Sequence, residues 1–314
     1  MERSKMAVIA VEGWRRRKYE VVESNFSLAQ EVAATKGLAG TRSSPGAGEG
    51  DGGSVGAAVE LSDLDQKIQI AKELNSNIMK CIHDPNANHV VQKCIEHVPP
   101  RFIQFFVESM YGRVVELSVH PYGCRVIQRI LEYFDSSIQE IFLEEIIEEV
   151  YYMAKDQYAN YVVQNILQHG KALVRSAIIK KFIGRVVAMS KQKFASNVIE
   201  KCLIFGSYDE KQKIINEVIG TTDLVRSGET EALVVMVNDQ YANYVVQKVI
   251  ETCDEWQRKL ILRRLRAHHS LLHDCTYAKH VVARLDRLID IGERKMANPR
   301  RPRRHGKDPV PPLT

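Results

Sequence analysis

Five times along this chain, a small or amide side chain stands four residues ahead of a Gln or Glu. A stacking or polar group follows directly after the first member. The pairs are Asn88/Gln92, Cys124/Gln128, Asn160/Gln164, Ser196/Glu200 and Asn243/Gln247, and the residues after the first members are His89, Arg125, Tyr161, Asn197 and Tyr244. A carboxamide donates and accepts side by side, whereas a carboxylate only accepts. Rings and a guanidinium offer faces on which a planar ligand can stack, with Asn197 the poor stacker of the set. The chemistry is recognition of flat, hydrogen-bonding groups rather than catalysis. No nucleophile elbow, phosphate loop or metal-ligand spacing is found. His83, His89, His120 and His280 recur beside the pairs and read as cap or stacking residues.

The pairs sit in a repeated motif. The letters DQYANYVVQ occur at 156–164 and again at 239–247, with looser copies at 84–92, 120–128, 192–200 and 275–283. Counted at Asn88, Cys124, Asn160, Ser196, Asn243 and Lys279, the intervals are 36, 36, 36, 47 and 36 residues. Such a period signals a solenoid of stacked supersecondary units. The long interval places an insertion in the polar stretch 221–232, which a loop absorbs at little entropic cost. On a helical wheel of ~100° per residue, Asn160, Tyr161 and Gln164 share one face, and Val162, Val163, Ile166 and Leu167 lie opposite. Two β-branched residues recur at the core positions, from Val90-Val91 to Val281-Val282. They are mediocre helix formers, so packing must explain them. A small residue, Ala or Gly, always precedes the first member and allows a close approach. No alternating strand pattern appears, so the expected fold is all-α with about three helices per repeat.

Composition sets the rest. Residues 37–56 hold eight of the 18 glycines and read as a linker that cannot bury a core. The expected organisation is a non-repeat segment at 1–56, a repeat array at 57–291 and a basic Pro/Arg-rich, disordered tail at 292–314. The net charge is +5, of which +4 lies between Pro299 and Asp308, so bulk charge says little about partners. The six cysteines form no CxxC pair, which argues against a zinc site or a disulfide framework. The apolar run 6–11 is too short for a signal core or a membrane span.

The repeated pairs resemble those of Pumilio-type (PUF) RNA-binding proteins, which read one base per helical repeat with two or three side chains. The resemblance covers roughly 57–291 and implies a curved right-handed α-solenoid. It matches the last five reading repeats and the C-terminal cap of the family array, with Lys279, His280 and Ala283 in the closing unit. The first repeats of the family array are absent, and Gly-rich sequence stands in their place. A Gln amide suits either uracil or adenine, so the first member must decide. Asn adds a polar contact toward uracil, while Cys124 leaves room for the apolar C2 edge of adenine. Glu200 suits the adjacent N1–H and amino donors of guanine. The resemblance implies that the RNA runs antiparallel to the protein, giving a site 5′-UGUAU-3′. It also implies a cytoplasmic, non-enzymatic protein without cofactors that binds single-stranded mRNA 3′ UTRs for repression or decay. Deadenylase or translational-repressor proteins would sit on the outer face. The alternative is a helical-repeat interaction scaffold whose RNA binding is weak or lost.

Overall fold

The computed structural model describes residues 59–220, 232–268, 272 and 276–297, which are all-helical with connecting turns. The expected linker before 57, most of the tail, the insertion at 221–231 and Cys275 lie outside the described residues. In chain order the helices are α1 (Leu64–Leu74), α2 (Ile78–His83), α3 (Ala87–His97), α4 (Gln104–Glu108), α5 (Val114–Ser118), α6 (Gly123–Tyr133), α7 (Ser136–Met153), α8 (Ala159–His169) and α9 (Ala172–Phe182). They continue as α10 (Val186–Ser190), α11 (Ala195–Phe205), α12 (Tyr208–Ile219), α13 (Ala232–Val237), α14 (Ala242–Thr252), α15 (Glu255–Ala267) and α16 (Thr276–Ala297). The last helix runs through the expected boundary at 291.

Each motif occupies one helix, and α3, α6, α8, α11, α14 and α16 pack in that order, each on the next. They form one layer. The longer helices that follow them, α7, α9 and α12, pack on one another as a second layer. Between the layers, both β-branched residues of every motif from Val90-Val91 to Val245-Val246 are buried. Burying such a side chain is worth about 1.5–3 kcal/mol, and this outweighs the modest helix propensity. The small residue before each pair is buried, and Gly123 lies against the preceding short helix. A Cβ at Gly123 would lie 2.5 Å from the Leu117 carbonyl oxygen at the end of α5.

One unit departs from the three-helix pattern. Gly112, Gly184 and Gly220 all adopt positive φ, where only glycine is unstrained, and each turns the chain after the helix that precedes it, α4, α9 or α12. Glu148 occupies the equivalent place in the third unit, so α7 runs unbroken from Ser136 to Met153. The long helix of one repeat and the short helix of the next have fused. Elsewhere a carboxylate secures the turn. Glu145 accepts from the amides of Gly112 (2.6 Å) and Val114 (3.1 Å), and Glu217 accepts from those of Gly184 (2.7 Å) and Val186 (2.6 Å).

Candidate nucleic-acid interface

Four motif helices, α3, α6, α8 and α14, are anchored by a side chain at their start. Helices leave their first amides without intrahelical partners. Here Asp84 Oδ1 accepts from Asn86 and Ala87 (2.9 and 2.7 Å), Asp156 from Tyr158 and Ala159 (both 2.8 Å), and Asp239 from Tyr241 and Ala242 (both 2.9 Å). In the second copy His120 Nδ1 takes the same place, accepting from Tyr122 and Gly123 at 3.2 Å. That role requires a neutral ring protonated on Nε2. His83 packs edge-on against it at 4.4 Å. Burial, then the neighbouring His83, lowers the pKa of His120 below the ordinary imidazole value.

The Asn members do not lie on the open surface with the Gln residues. Asn88, Asn160 and Asn243 are only 1, 1 and 3% exposed. Each sits in the first turn of its helix, and its Nδ2 folds back on the carbonyl of the anchoring Asp at 2.8, 2.8 and 2.9 Å. Its Oδ1 then accepts from Nε2 of Gln92 (2.8 Å), Gln164 (2.8 Å) or Gln247 (3.1 Å). Because Nδ2 must donate to a carbonyl, Oδ1 must face the Gln, so the Gln amide has one allowed orientation. Its nitrogen is held by the Asn, leaving its second N–H and its Oε1 for a ligand. At Gln247 that oxygen is also reached by Arg284 from the closing repeat (3.2 Å).

The other two pairs are built differently. Cys124 is buried, its Sγ donating to the Pro121 carbonyl (3.3 Å), and burial pushes its thiol pKa up. Gln128 Nε2 donates instead to the Cys124 carbonyl (3.1 Å). Ser196 turns its hydroxyl to the Lys193 carbonyl (3.1 Å). Glu200 is half-buried, and among the described residues no donor lies within hydrogen-bonding reach of its carboxylate. Burial, the largest influence, raises its pKa; Lys248 opposes this, Glu251 adds to it, and Lys201 opposes it.

His89, Arg125, Tyr161, Asn197 and Tyr244 are all exposed on the layer of motif helices. The Arg125 guanidinium lies over the Tyr161 ring, 5.9 Å from its centre, so these two consecutive repeats bring their flat groups close together.

Beside the Gln row runs a ladder that the sequence reading did not pick out. One residue after each second member, and after Ala283 of the closing repeat, stand Lys93, Arg129, Asn165, Lys201, Lys248 and Arg284; three further on from the first five stand Glu96, Glu132, Gln168, Ile204 and Glu251. These bond within a helix and across to the preceding repeat. Lys93 pairs with Glu60 (2.5 Å) and Glu96 (2.9 Å), and Arg129 with Glu96 (3.1 Å) and Glu132. Asn165 reaches Glu132 (2.8 Å), Lys201 reaches Gln168 (3.2 Å), and Arg284 reaches Glu251. A shared 36-residue offset of basic and acidic residues is the signal that would have found it. Glu60, Glu96 and His97 gather closely enough to suggest a cation site, but Lys93 already bridges the two carboxylates.

The sequence model of the PUF family, the Pumilio-family RNA binding repeat, matches residues 77–109, 113–147, 149–183, 185–219 and 234–265. The chain belongs to the Pumilio family. Pumilio homolog 1 and Pumilio homolog 3 of Arabidopsis thaliana are 56% and 54% identical to it over 79 residues, a quarter of this chain. The aligned stretch is only 8% of the length of either relative. The solved structure of PUF-8 in complex with PBE-RNA superposes with a TM-score of 0.68 at 34% identity, over 75% of this chain and 68% of that one. The Puf3 RNA binding domain bound to a Cox17 RNA 3′ UTR recognition sequence gives 0.67 at 33% identity, over 74% and 70%. The fold is thus the curved right-handed α-solenoid of Pumilio repeats. Among the described residues, no helix is long and apolar enough to cross a membrane.

Proposed function

We propose that this Pumilio-repeat chain binds single-stranded RNA through its motif-helix layer and reads 5′-UGUAU-3′, from the repeat of Asn243 back to that of Asn88. The observation that carries the reading is the difference in how the second members are held. Gln92, Gln164 and Gln247 are each pinned by a buried Asn and offer one amide edge in one orientation, suited to uracil O4 and N3–H. Gln128 is held by a backbone carbonyl beside a small thiol, leaving an apolar gap for the C2 edge of adenine. Glu200 has open acceptors that match two adjacent guanine donors. Tyr161, Tyr244, His89 and Arg125 stack between successive bases; Asn197 contributes least. The Asn side chains act chiefly by orienting their Gln partners.

In the cell, this activity serves recognition of mRNA 3′ UTRs in the cytoplasm, with repression or decay carried out by deadenylase or translational-repressor proteins on the outer face. The purified full chain is expected to bind a UGUAU-containing RNA well above the same RNA carrying ACAAU, at one fixed salt concentration, since phosphate contacts alone vary steeply with salt. Equal, weak binding to both by a folded chain would favour the interaction-scaffold alternative.

A further inference from the structure

The ionic ladder beside the base-reading row lacks its carboxylate at two successive rungs, Gln168 and Ile204, and the second of these lies on the helix of the only carboxylate among the second members. At the other acidic rungs, Glu96, Glu132 and Glu251, a carboxylate neutralises the basic or polar residues of its own repeat and the next. At the rung of Glu200's own helix the residue is Ile204, which is 40% exposed. Lys201 therefore reaches the neutral Gln168 (3.2 Å), lies over the Phe205 ring at 5.5 Å from its centre, and forms no ion pair among the described residues. Lys248 pairs with Glu251 of its own helix (2.6 Å), and by the repeat register Ile204 stands at the position from which a carboxylate of the preceding repeat meets Arg129 and Arg284. Two ammonium groups with incomplete neutralisation thus flank Glu200, one on its own helix and one on the next.

We propose that Ile204 and Lys248 are specificity-determining residues of the guanine slot: the missing carboxylate at Ile204 leaves Lys201 without an acidic partner and Lys248 with Glu251 alone, so that both lysines help keep Glu200 ionised and able to accept two hydrogen bonds. This deepens the RNA reading given above and rests on it. The charged groups acting on Glu200 are Lys201 of α11 and Lys248 and Glu251 of α14, while α8 contributes the neutral Gln168 to this rung. Both lysines oppose the upward pull of burial and Glu251 on the Glu200 carboxyl. An acid at 204 would draw both ammonium groups onto itself and add a like charge near Glu200. Ile204 thus acts by what it does not do, and Lys248 is a positioning residue that need not touch the base.

The test uses the full chain with Ile204→Glu and, separately, Lys248→Met. First, the Glu200 carboxyl is titrated by carbon-detected NMR in the absence of RNA. Both variants are expected to titrate at higher pH than the parent. Second, the affinity ratio for UGUAU over UAUAU is measured from pH 5 to pH 8. Ile204→Glu is expected to lower that ratio by about two- to fivefold, the scale of a partly exposed charge pair, most strongly at the acid end. In a Glu200→Gln background the same change should leave the ratio untouched. An unmoved Glu200 midpoint in both variants, or an equal loss on both RNAs, would overturn the proposal. If instead the parent itself did not prefer UGUAU, the RNA reading would fail, while the titration would still report whether the ladder controls Glu200. Thermal melting of each variant separates these effects from unfolding, and Ile204→Glu is expected to melt no lower than the parent.

Discussion

Replacing Glu200 by Gln changes one acceptor into a donor and leaves shape nearly unaltered. In the proposed slot the carboxylate accepts from guanine N1–H and from the amino group. With Gln, one acceptor remains and the new NH2 faces a donor. Loss of such a bidentate match costs about 1–3 kcal/mol of discrimination against the wrong base, or roughly 5- to 150-fold in relative affinity. The fold should not suffer. Burial raises the Glu200 pKa, so the folded state holds its proton more tightly than the unfolded chain, and at neutral pH the ionised group detracts from stability. Removing the charge should leave the melting temperature unchanged or higher. The same shift predicts a pH dependence: parental preference for G over A is present above the raised carboxyl pKa and declines as pH falls through it, whereas Glu200→Gln is flat. Equilibrium titration of labelled UGUAU and UAUAU at several pH values, alongside melting curves, measures all of this. An unchanged preference for G in the variant, or an equal loss on both RNAs with a lowered melting temperature, would refute the reasoning.

Other perturbations separate scaffold from reading surface. Asp156→Ala removes the carboxylate that accepts from two backbone amides at the start of α8 and should destabilise the chain by about 0.5–2 kcal/mol, as loss of a helix cap does, read by chemical denaturation. Tyr161→Ala should weaken every RNA by about 1–3 kcal/mol with little change in sequence preference, because stacking is sequence-tolerant; competition binding distinguishes this from Glu200→Gln. Ile127→Ala, deep between the layers, should cost about 2–5 kcal/mol of stability, measured by denaturant unfolding. His120 has a lowered pKa, and its neutral ring accepts two amides of α6; its stabilising contribution is present above the unfolded imidazole value and lost as pH falls through the lower folded one, so His120→Asn should flatten the stability profile in mildly acidic solution.

Much of this molecule was legible in the sequence because the repeat multiplies every signal. The valine pairs mark the core side, and the all-α reading followed from the absence of any alternating strand pattern. The wheel failed at Asn160 for a definite reason. It gives an angle about the axis but no position along it, and Asn160 lies in the first turn, where its amide can reach the carbonyl four residues back. Asp156 was visible as the first letter of the motif, yet its capping role emerges only once α8 is seen to begin at Ala159. Glu148 could have been read as a missing glycine by comparison with Gly112, Gly184 and Gly220, which would have foretold the fused α7. The ladder escaped notice because the bonds that make it continuous join residues about one repeat apart, a relation that a single-helix wheel does not display.

The central claim is that five pairs of side chains specify five bases. The most direct measurement is selection from a randomised single-stranded RNA pool by the full chain at one fixed salt concentration, followed by sequencing. The account predicts enrichment of UGUAU, with the G opposite Glu200 the most strongly fixed position. Recovery of RNAs with no common pentamer, from a chain whose circular dichroism confirms that it is folded, would contradict it.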